Sequence, residues 1–456
     1  MPESLPNTDY IAPLSDLGFR SLGRMHVRHA RDIEASPWSI GCETIDRAMV
    51  EFAHTGPHLG ELGAKAARVQ AGWARCEPVP GADYDWRWLD EIVEGCVSQG
   101  VAPWLETSYG NPVYEGGGGV GLAEGIPTSA EALAAWDRWV EAMCKRYGDR
   151  VDTWEIWNEP DIHHAMTPVE YAVFFVRTVQ IIRRIQPHAS IIGLALAGRL
   201  DFAETFLKYL QDNDKTELLD HVTFHFYPHN PDDQFITVDK LRNMLAECAP
   251  HVTLRQGETG APAETQKFMA MGNFDWSPRK QAAWDLRRLL AHHGRGIAMS
   301  LFQLSDMYYS KQKGIFEGRN PKGMLCINPD KTVSHRRPAY FMAQHVFSLL
   351  DCRFPLKPLA LLTAHSERRI EAYAWTLEGE MKPSLVAWWD ASEPPALETP
   401  ALSSVGIAAD MPSDAVLLDF ISGTVFELPD DFSTDQLPCS DTPFALVERQ
   451  LVLNTQ

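Results

Sequence analysis

The sequence lacks paired cysteines, long apolar runs and clusters of basic residues, and each absence excludes a class of protein. Its eight cysteines are spaced singly with no CxxC pair, which predicts free buried thiols rather than a zinc site or a disulfide framework. The longest smooth apolar run, residues 191–197, is far shorter than the roughly 18 residues that span a bilayer. Residues 1–36 contain no apolar stretch of the kind that an export signal needs. We therefore expect a cytoplasmic protein without a membrane partner.

Cationic charge is also scarce. The chain has 456 residues, and its 41 Lys and Arg face 61 Asp and Glu, which gives a net charge of -20. Such a surface repels the phosphates of nucleic acids, so no nucleic-acid partner is expected. What the sequence does have is 45% apolar residues, enough for a large globular core. It also has 14 Trp and 12 Tyr, whose flat apolar faces suit sugar rings.

Short β-like runs alternate with amphipathic stretches over most of the chain, a pattern typical of βα units. Eight apolar runs predict strands, at 38–42, 67–73, 101–107, 151–158, 190–195, 221–226, 252–257 and 297–304. Apolar residues at three- and four-residue spacing predict helices between them, at 86–99, 130–147, 168–185, 202–212, 238–248 and 280–293. Eight strands with crossover helices predict an α/β fold, a (β/α)8 TIM barrel. A doubly wound open sheet is the alternative, and the strand count disfavours it.

The pattern changes after residue 351. From there the apolar runs are short and β-like, as in IEAYAWTL (370–377), and Pro, Gly, Asp and Ser separate them. We therefore predict a catalytic barrel over 37–351 and a C-terminal antiparallel β-sandwich domain over 352–456. Residues 1–36 precede the first barrel strand and are expected to join the β domain.

Two glutamates stand at the ends of predicted strands, where the active site of such a barrel lies. Glu159 follows the fourth strand in the sequence Asn158-Glu159-Pro160, and the proline forces the chain out of the strand. Glu258 closes the seventh strand, which faces the fourth across the barrel axis. Glycoside hydrolysis needs such a pair, one acid to protonate the leaving oxygen and one carboxylate to attack the anomeric carbon or to activate water. The sequence therefore predicts that Glu159 and Glu258 are catalytic.

From about residue 38 to 351 the chain resembles the retaining glycoside hydrolases of clan A. In that clan a (β/α)8 barrel carries an acid/base in an Asn-Glu motif that ends strand four and a nucleophilic Glu that ends strand seven. The residues that carry the resemblance are Arg68, WARCEP (73–78), YDW (84–86), YGNP (109–112), WNEPD (157–161), His225 with Tyr227, and ETG (258–260). Within the clan, the YGNPVY loop and the trailing β domain are most similar to family 39, which implies β-xylosidase or α-L-iduronidase-like activity.

The resemblance also implies roles for these residues. Glu159 would be the general acid/base and Glu258 the nucleophile, while Asn158 would hydrogen-bond the 2-hydroxyl of the sugar. Arg68 and Tyr227 would orient Glu258 and keep it ionised. His225 would contact the sugar or the acid side of the site.

The remaining candidates for substrate contact are read from position. Asn111 lies in the loop after strand three, Trp73 at the end of strand two, and His164 shortly after Glu159. The clan usually places a Trp at the end of strand eight, where this chain reads SLFQLSD, so Phe302 is expected to substitute as a sugar platform. Glu43, at the end of strand one, contacts either the substrate or a local cation.

Other polar residues and a glycine run are expected to have structural roles. Glu155 is expected to point into the barrel as a paired charge. The pairs His163-His164 and His292-His293 lack the carboxylate or Cys partners of a metal site, so no metal is expected. The glycine run at 116–121 fits GxGxxG formally, but no helix follows it directly, so it predicts a rim loop rather than a dinucleotide site.

Together these features predict a retaining O-glycosidase that acts through a covalent glycosyl-enzyme intermediate on a small glycoside or oligosaccharide, without a cofactor. An exo-acting, β-xylosidase-like enzyme is the first choice. The alternatives are β-galactosidase, β-glucosidase or α-L-arabinosidase-like activity, and a non-catalytic barrel that binds carbohydrate. A nicotinamide oxidoreductase would rest on the glycine run alone.

Overall fold

The computed structural model describes Leu14 and residues 17–267, 269–309, 318–395 and 401–453. After a first strand, β1 (Arg20–Arg24), eight parallel strands close into a barrel in sequence order. The barrel strands are β2 (Trp38–Gly41), β3 (Ala66–Gln70), β4 (Ala102–Thr107), β5 (Thr153–Ile156), β6 (Ser190–Leu196), β7 (His221–Phe224), β8 (Thr253–Thr259) and β9 (Ala298–Leu301). The predicted (β/α)8 barrel is confirmed, and the open sheet is excluded.

The longer helices connect the barrel strands from outside, and three of them begin at a side-chain cap, Ser129, Thr167 or Ser277. The helix Pro168–Ile185 starts with a capping box between Thr167 and Glu170, and proline fills its first turn. The α-helices of the described residues are α1 (Phe52–Thr55), α2 (Leu59–Leu62), α3 (Trp73–Cys76), α4 (Arg87–Ser98), α5 (Ala130–Tyr147), α6 (Pro168–Ile185), α7 (Leu200–Asp212), α8 (Phe235–Cys248), α9 (Pro278–Gly294), α10 (Pro338–Leu349) and α11 (Arg449–Val452). In the described part of the chain, no helix has the length and apolar character needed to cross a membrane.

The second barrel strand is shorter than predicted. Strand β3 ends at Gln70, and Gly72 takes a left-handed conformation with φ 54° that turns the chain into the helix α3. A side chain at Gly72 would also clash, since its Cβ position lies 2.5 Å from Asp46. Trp73 therefore starts a helix and does not end a strand.

Two antiparallel sheets after the barrel form a β-sandwich. The strands after the barrel are β10 (Met307–Tyr309), β11 (Gly318–Asn320), β12 (Leu325–Ile327), β13 (Val333–Arg336), β14 (Ala364–His365), β15 (Ile370–Trp375), β16 (Leu385–Asp390), β17 (Ser403–Ile407), β18 (Ala415–Asp419), β19 (Thr424–Glu427), β20 (Leu437–Cys439) and β21 (Phe444–Glu448). The larger sheet has the order β1-β19-β18-β21-β16-β15, and the smaller sheet has the order β14-β17-β20. Apolar side chains of both sheets, such as Trp388 and Val405, share one core.

Strand β1 pairs antiparallel with β19, with Arg20 opposite Glu427. A segment that precedes the barrel thus lies in the larger sheet of the sandwich. The domain boundaries at 36/37 and 351/352 stay a prediction.

Helix α9 lies between the barrel and the larger sheet, and nearly every residue along it is buried. Arg279 donates to Asp441 in the sandwich (Nη1–Oδ2, 2.6 Å), and Trp375 donates to His293 (Nε1–Nδ1, 2.9 Å). Apolar side chains from the barrel, its helices and the facing strands of this sheet form one continuous core. The sandwich therefore supports the side of the barrel that carries β8 and β9.

Candidate active site

The chain leaves β5 through a strained turn that carries Asn158 and Glu159. Trp157 and Glu159 both have left-handed backbone conformations, with φ of 67° and 44°. Non-glycine residues adopt such conformations at a cost of about 1–3 kcal/mol, mostly at functional sites. The Glu159 side chain is only 11% exposed. The turn thus places a nearly buried carboxyl group at the C-terminal end of the barrel.

Glu258 lies near the end of β8, where the pairing with β9 shifts register between Gln256 and Thr259. Gly260 follows shortly after, and its Cβ position lies 1.7 Å from the carbonyl oxygen of Phe302, so any side chain there would clash. This close contact between two chain segments fixes the position of Glu258.

Two donors hold the Glu258 carboxylate. Arg68 Nη1 donates to Oε2 at 3.0 Å, and the Tyr227 hydroxyl donates to Oε1 at 2.8 Å. Both oxygens are thus engaged by groups that stabilise negative charge. The contacts that the resemblance implied for these residues are present.

Arg68 is fully buried at the centre of a cluster of acidic side chains. Besides Glu258 it donates to Glu43 (Nη1–Oε1, 2.6 Å), to Glu155 (Nε–Oε2, 2.6 Å) and to Glu106. One buried cation cannot balance four charged carboxylates at low cost. Burial raises the pKa of Glu106 to about 7, and it raises the pKa of Glu43 well above its ordinary range. Burial thus disfavours the charged forms of both Glu43 and Glu106 in this cluster.

Glu159 and Glu258 lie close together across the barrel mouth, with His225 between them. One carboxylate oxygen of each glutamate and a ring nitrogen of His225 all lie within 4.8 Å of one another. His225 Nδ1 is 3.2 Å from Glu159 Oε1 and 3.5 Å from Glu258 Oε2. An intervening water, as inverting glycosidases use, requires a separation of about 6.5–9.5 Å between the carboxyl groups. The geometry therefore suits direct attack on the substrate by one of the two.

The surroundings of Glu159 favour a protonated side chain. Burial, and then the nearby carboxylate of Asp161, raise the pKa of Glu159 to about 7, against the opposing charges of Arg68 and His163. Burial lowers the pKa of His225 to about 4, so its ring is neutral near pH 7. Glu159 can thus carry a proton beside a carboxylate that Arg68 and Tyr227 stabilise, which is the asymmetry that acid and nucleophile require.

Glu159, His225 and Glu258 also lie close enough together for their oxygen and nitrogen atoms to surround a metal ion. Arg68 lies 3.0 Å from the Glu258 carboxylate and would repel a divalent cation there. The arrangement fits proton transfer better than metal binding.

Asn158 is fixed by the same network. Its Oδ1 accepts from Arg68 Nη2 at 2.8 Å, and its Nδ2 donates to the Tyr109 hydroxyl at 2.9 Å. Tyr109 belongs to the YGNP loop, where the sequence analysis selected Asn111 instead. The direction of a side chain in such a loop depends on the local backbone, which periodicity does not predict.

Three predicted contact residues lie away from the site. Trp73 is fully buried, donates to Glu77 (Nε1–Oε2, 2.8 Å) and stacks on Tyr114, so the prediction that it contacts a sugar is corrected. Asn111 is fully buried and connects its loop to the end of α3 by donating to the Glu77 carbonyl at 2.8 Å. The exposed His164 pairs with Arg199 (Nδ1–Nη1, 3.0 Å), and it is His163 whose charge reaches Glu159.

Two further expectations are resolved by the contacts. Glu155 is a paired structural charge, since it accepts from Arg68 and from Thr223 Oγ1 at 2.5 Å. The Phe302 ring packs edge-on against Tyr227 with centroids 6.4 Å apart, and 7% of Phe302 is exposed. Phe302 thus borders the carboxylate pair, where a sugar platform would be.

Sequence reasoning missed two ionisable groups beside the site. Glu106 lies one residue before the end of β4, and the register aligns it with Glu155 on β5, so acidic residues within adjacent predicted strands were the available signal. Lys322 is buried next to Tyr227, with Nζ 5.6 Å from the ring centroid and donating to the Ala270 carbonyl at 2.7 Å. Burial lowers the pKa of Lys322 to about 7. Lys322 lies in the loop between β11 and β12, and no sequence pattern predicted that this loop reaches the site.

Part of the chain matches a known family. Residues 71–252 match the family described as Glycosyl hydrolases family 39. That segment contains Asn158, Glu159, His225 and Tyr227, whereas Glu258 and Arg68 lie outside it. No curated protein has a sequence that matches the chain.

Solved structures share the fold. A family 39 glycoside hydrolase from the gut symbiont Bacteroides cellulosilyticus WH2 is similar, with a TM-score of 0.67 and 17% identity over 91% of this chain and 81% of that one. A GH39 β-xylosidase from Caulobacter crescentus has a TM-score of 0.58 and 16% identity, covering 94% and 98%. A GH30 endoxylanase from Clostridium papyrosolvens C71 has a TM-score of 0.58 and 11% identity, covering 93% and 97%.

Proposed function

We propose that this chain, a clan A glycoside hydrolase most similar to family 39, cleaves O-glycosidic bonds with retention of configuration. The observation that carries the proposal is the pair Glu159 and Glu258, whose oxygens come within 4.8 Å in opposite electrostatic surroundings. Glu159 has a raised pKa of about 7, and Glu258 is held by a cation and a hydroxyl donor. Retaining glycosidases need one protonated and one charged carboxyl group at such a separation.

The first step forms a covalent intermediate. A Glu258 oxygen bonds to the anomeric carbon while the bond to the leaving oxygen breaks, and Glu159 transfers its proton to that oxygen. As the proton leaves Glu159, His225 remains within hydrogen-bonding distance of its Oε1. In this proposal Asn158, which Arg68 and Tyr109 hold in position, contacts the sugar hydroxyl next to the anomeric carbon.

The second step releases the sugar. Glu159, now a carboxylate, takes a proton from water, the water oxygen bonds to the anomeric carbon, and the ester bond to Glu258 breaks. Arg68 and Tyr227 stabilise the carboxylate that reforms. Two displacements at one carbon leave its configuration unchanged.

We propose that the preferred substrate is a β-xyloside and that the enzyme acts from the chain end and releases single sugars. Two similar structures are β-xylosidases from Caulobacter crescentus, which supports this choice. β-Galactosides, β-glucosides and α-L-arabinosides are the alternatives on the same barrel. A carbohydrate-binding barrel without catalysis is less consistent with the presence of both glutamates.

The test is hydrolysis of a panel of nitrophenyl glycosides by the wild type and by Glu258→Ala. We expect turnover of the β-xyloside by the wild type and a loss of more than about 10²-fold in Glu258→Ala, because no covalent intermediate can form. Glu94→Ala, at a side chain that is 70% exposed on α4, is the matched control and should keep full activity.

Stereochemistry separates the mechanism from its alternatives. Proton NMR of the first-formed product should show the anomer of the substrate, and azide should rescue Glu159→Ala on a nitrophenyl glycoside as a glycosyl azide of retained configuration. An inverted product, or activity in Glu258→Ala near that of the wild type, would contradict the proposal.

We further propose that the enzyme works in the cytoplasm and that its domains are divided at 36/37 and 351/352. All eight cysteines lie in described parts of the chain and have free thiols, which supports a reducing compartment. The change from barrel to antiparallel sheets between α10 and β14 supports the second boundary.

A further inference from the structure

The N-terminal mouth of the barrel, opposite Glu159 and Glu258, contains a cavity of about 420 Å³. Its walls come from the N-terminal halves of six barrel strands, from residues 35–37 and from residues 352 and 354–356. The exposed side chains of Cys352 and Leu356 lie at its edge, so the cavity is open to solvent. Its volume falls within the roughly 300–1,000 Å³ typical of small-molecule sites. This cavity is separate from the proposed active site.

Arg255 brings a positive charge into the cavity wall. Among the described residues no carboxylate forms an ion pair with it, and its polar contact is the His221 ring (Nη2–Nε2, 3.1 Å). Burial lowers the pKa of Arg255, and the more distant carboxylates of Asp152, Asp220 and Glu155 offset this shift only in part. Burial also lowers the pKa of His221 to about 3, so this histidine is neutral. A partly buried cation without an ion-pair partner in direct contact carries a desolvation cost. An anion in the cavity would remove that cost.

Two further donors line the same cavity. Trp104 is 3% exposed and Gln256 is fully buried, and neither Trp104 Nε1 nor Gln256 Nε2 has a hydrogen-bond acceptor among the residues that the structure describes. Nearly all buried donors in folded proteins are paired. The unpaired polar atoms of these three residues are donors, so a ligand that fits them supplies acceptor oxygens.

Apart from the hydroxyl residues Ser36, Ser39 and Thr153, most of the remaining wall is apolar. Trp38, Pro103, Met299 and Phe354 face the cavity and offer no charge. With a net charge of -20 the protein as a whole repels anions, so an anion here would be held by the local donors rather than by the general field. A single cation suits one carboxylate, and the apolar wall suits a hydrocarbon body.

We propose that this cavity binds a small organic carboxylate, with its oxygens on Arg255, Trp104 and Gln256 and its apolar part against Trp38 and Phe354. Its wall is shared with the catalytic cluster, because the Trp104 ring lies 5.9 Å from the guanidinium carbon of Arg68. Gln256 likewise accepts a hydrogen bond from the Glu258 backbone N–H at 3.2 Å. The proposed site is thus adjacent to the catalytic network without opening into it.

Calorimetric titration of the full chain with benzoate tests the proposal. We expect saturable binding at one site, at least tenfold weaker binding of benzamide, which lacks the charge, and at least tenfold weaker binding of inorganic phosphate, which lacks the apolar body. Arg255→Gln should weaken benzoate at least tenfold, and Trp104→Phe, which removes the N–H and keeps a ring, should weaken it about fivefold. Circular dichroism and thermal unfolding show that each variant is folded.

Glu258→Gln is the matched control for location, and its affinity for benzoate should stay within twofold of the wild type. Absence of saturable benzoate binding, or unchanged binding in both Arg255→Gln and Trp104→Phe, would overturn the proposal. Tighter binding of phosphate than of benzoate would refute an organic carboxylate as the ligand. Loss of benzoate binding in Glu258→Gln would place the anion in the active site instead.

Discussion

Replacing Glu159 by glutamine should make the protein more stable at alkaline pH while it removes the acid catalyst. Glutamine has the same shape but carries no charge at any pH. In the wild type, Glu159 must ionise in a site where 11% of the side chain is exposed and where the nearby carboxylate of Asp161 opposes its charge. The effect therefore depends on pH, and its sign can be worked out.

The magnitude follows from the pKa of Glu159, which rises from an ordinary value of 4.5 to about 7 in the folded protein. The folded state then holds the proton over a range in which the unfolded state has released it, so wild-type stability falls as the pH rises from 4.5 to 7. Each pH unit in this window is worth about 1.4 kcal/mol, so ionised Glu159 costs the folded state roughly 3 kcal/mol at pH 8. At pH 4 both states hold the proton and the cost is absent.

The assay is equilibrium urea unfolding of the wild type and Glu159→Gln at pH 5 and pH 8, followed by tryptophan fluorescence. Relative to the wild type, the variant should gain about 2–3 kcal/mol more at pH 8 than at pH 5. In parallel, the kcat/KM of the wild type should fall about tenfold between pH 6 and pH 8, as the protonated fraction of Glu159 falls.

Glu94→Gln, on the exposed surface of α4, is the control and should show the same stability difference from the wild type at both pH values. The reasoning is refuted if Glu159→Gln also shows no pH-dependent gain. It is refuted equally if the alkaline limb of the wild-type profile lies near pH 5.

Three further results are expected. Tyr227→Phe removes the 2.8 Å hydrogen bond to Glu258 and should lower kcat about 10- to 100-fold with little change in unfolding, measured by steady-state kinetics and thermal melts. Trp73→Phe should destabilise the fold by about 2 kcal/mol in urea unfolding and leave KM unchanged, because Trp73 lies in the core; a raised KM would show that it contacts the sugar after all. Asp441→Ala leaves the buried Arg279 unpaired and should cost about 3–5 kcal/mol, whereas combining it with Arg279→Met should recover most of that loss in the same assay.

The barrel could be predicted because its parallel strands are buried on both faces and appear in the sequence as apolar runs between helices. The boundaries of the helices Ala130–Tyr147 and Pro168–Ile185 agree with the prediction to the residue, since Ser129 and Thr167 mark where they begin. Where the chain leaves a strand, the hydrophobic periodicity ends, so the position of the strand end cannot be predicted from it. Trp73 was assigned to a strand because the turn at Gly72 has no periodic signature.

The candidate site shows the same division. Glu159 and Glu258 could be selected because each stands at the end of a predicted strand, and the structure brings them together. The grouping of four carboxylates around Arg68 could not be predicted, because it depends on which residues of neighbouring strands stand at the same height in the barrel. Lys322 reaches the site from a loop, where neither register nor helical spacing constrains a side chain.

The pairing of β1 with β19 has a consequence for how the chain is made. Arg20 and Glu427, which are ion-paired across these strands, lie 407 positions apart. At about 5–20 residues per second, a ribosome needs roughly 20–80 s to add the partner strand after β1 has been synthesised. During that time β1 has no partner in its own sheet, although the whole barrel is synthesised in the interval. A nascent chain that stalls before residue 424 would still carry an unpaired strand, which chaperones or proteases could recognise.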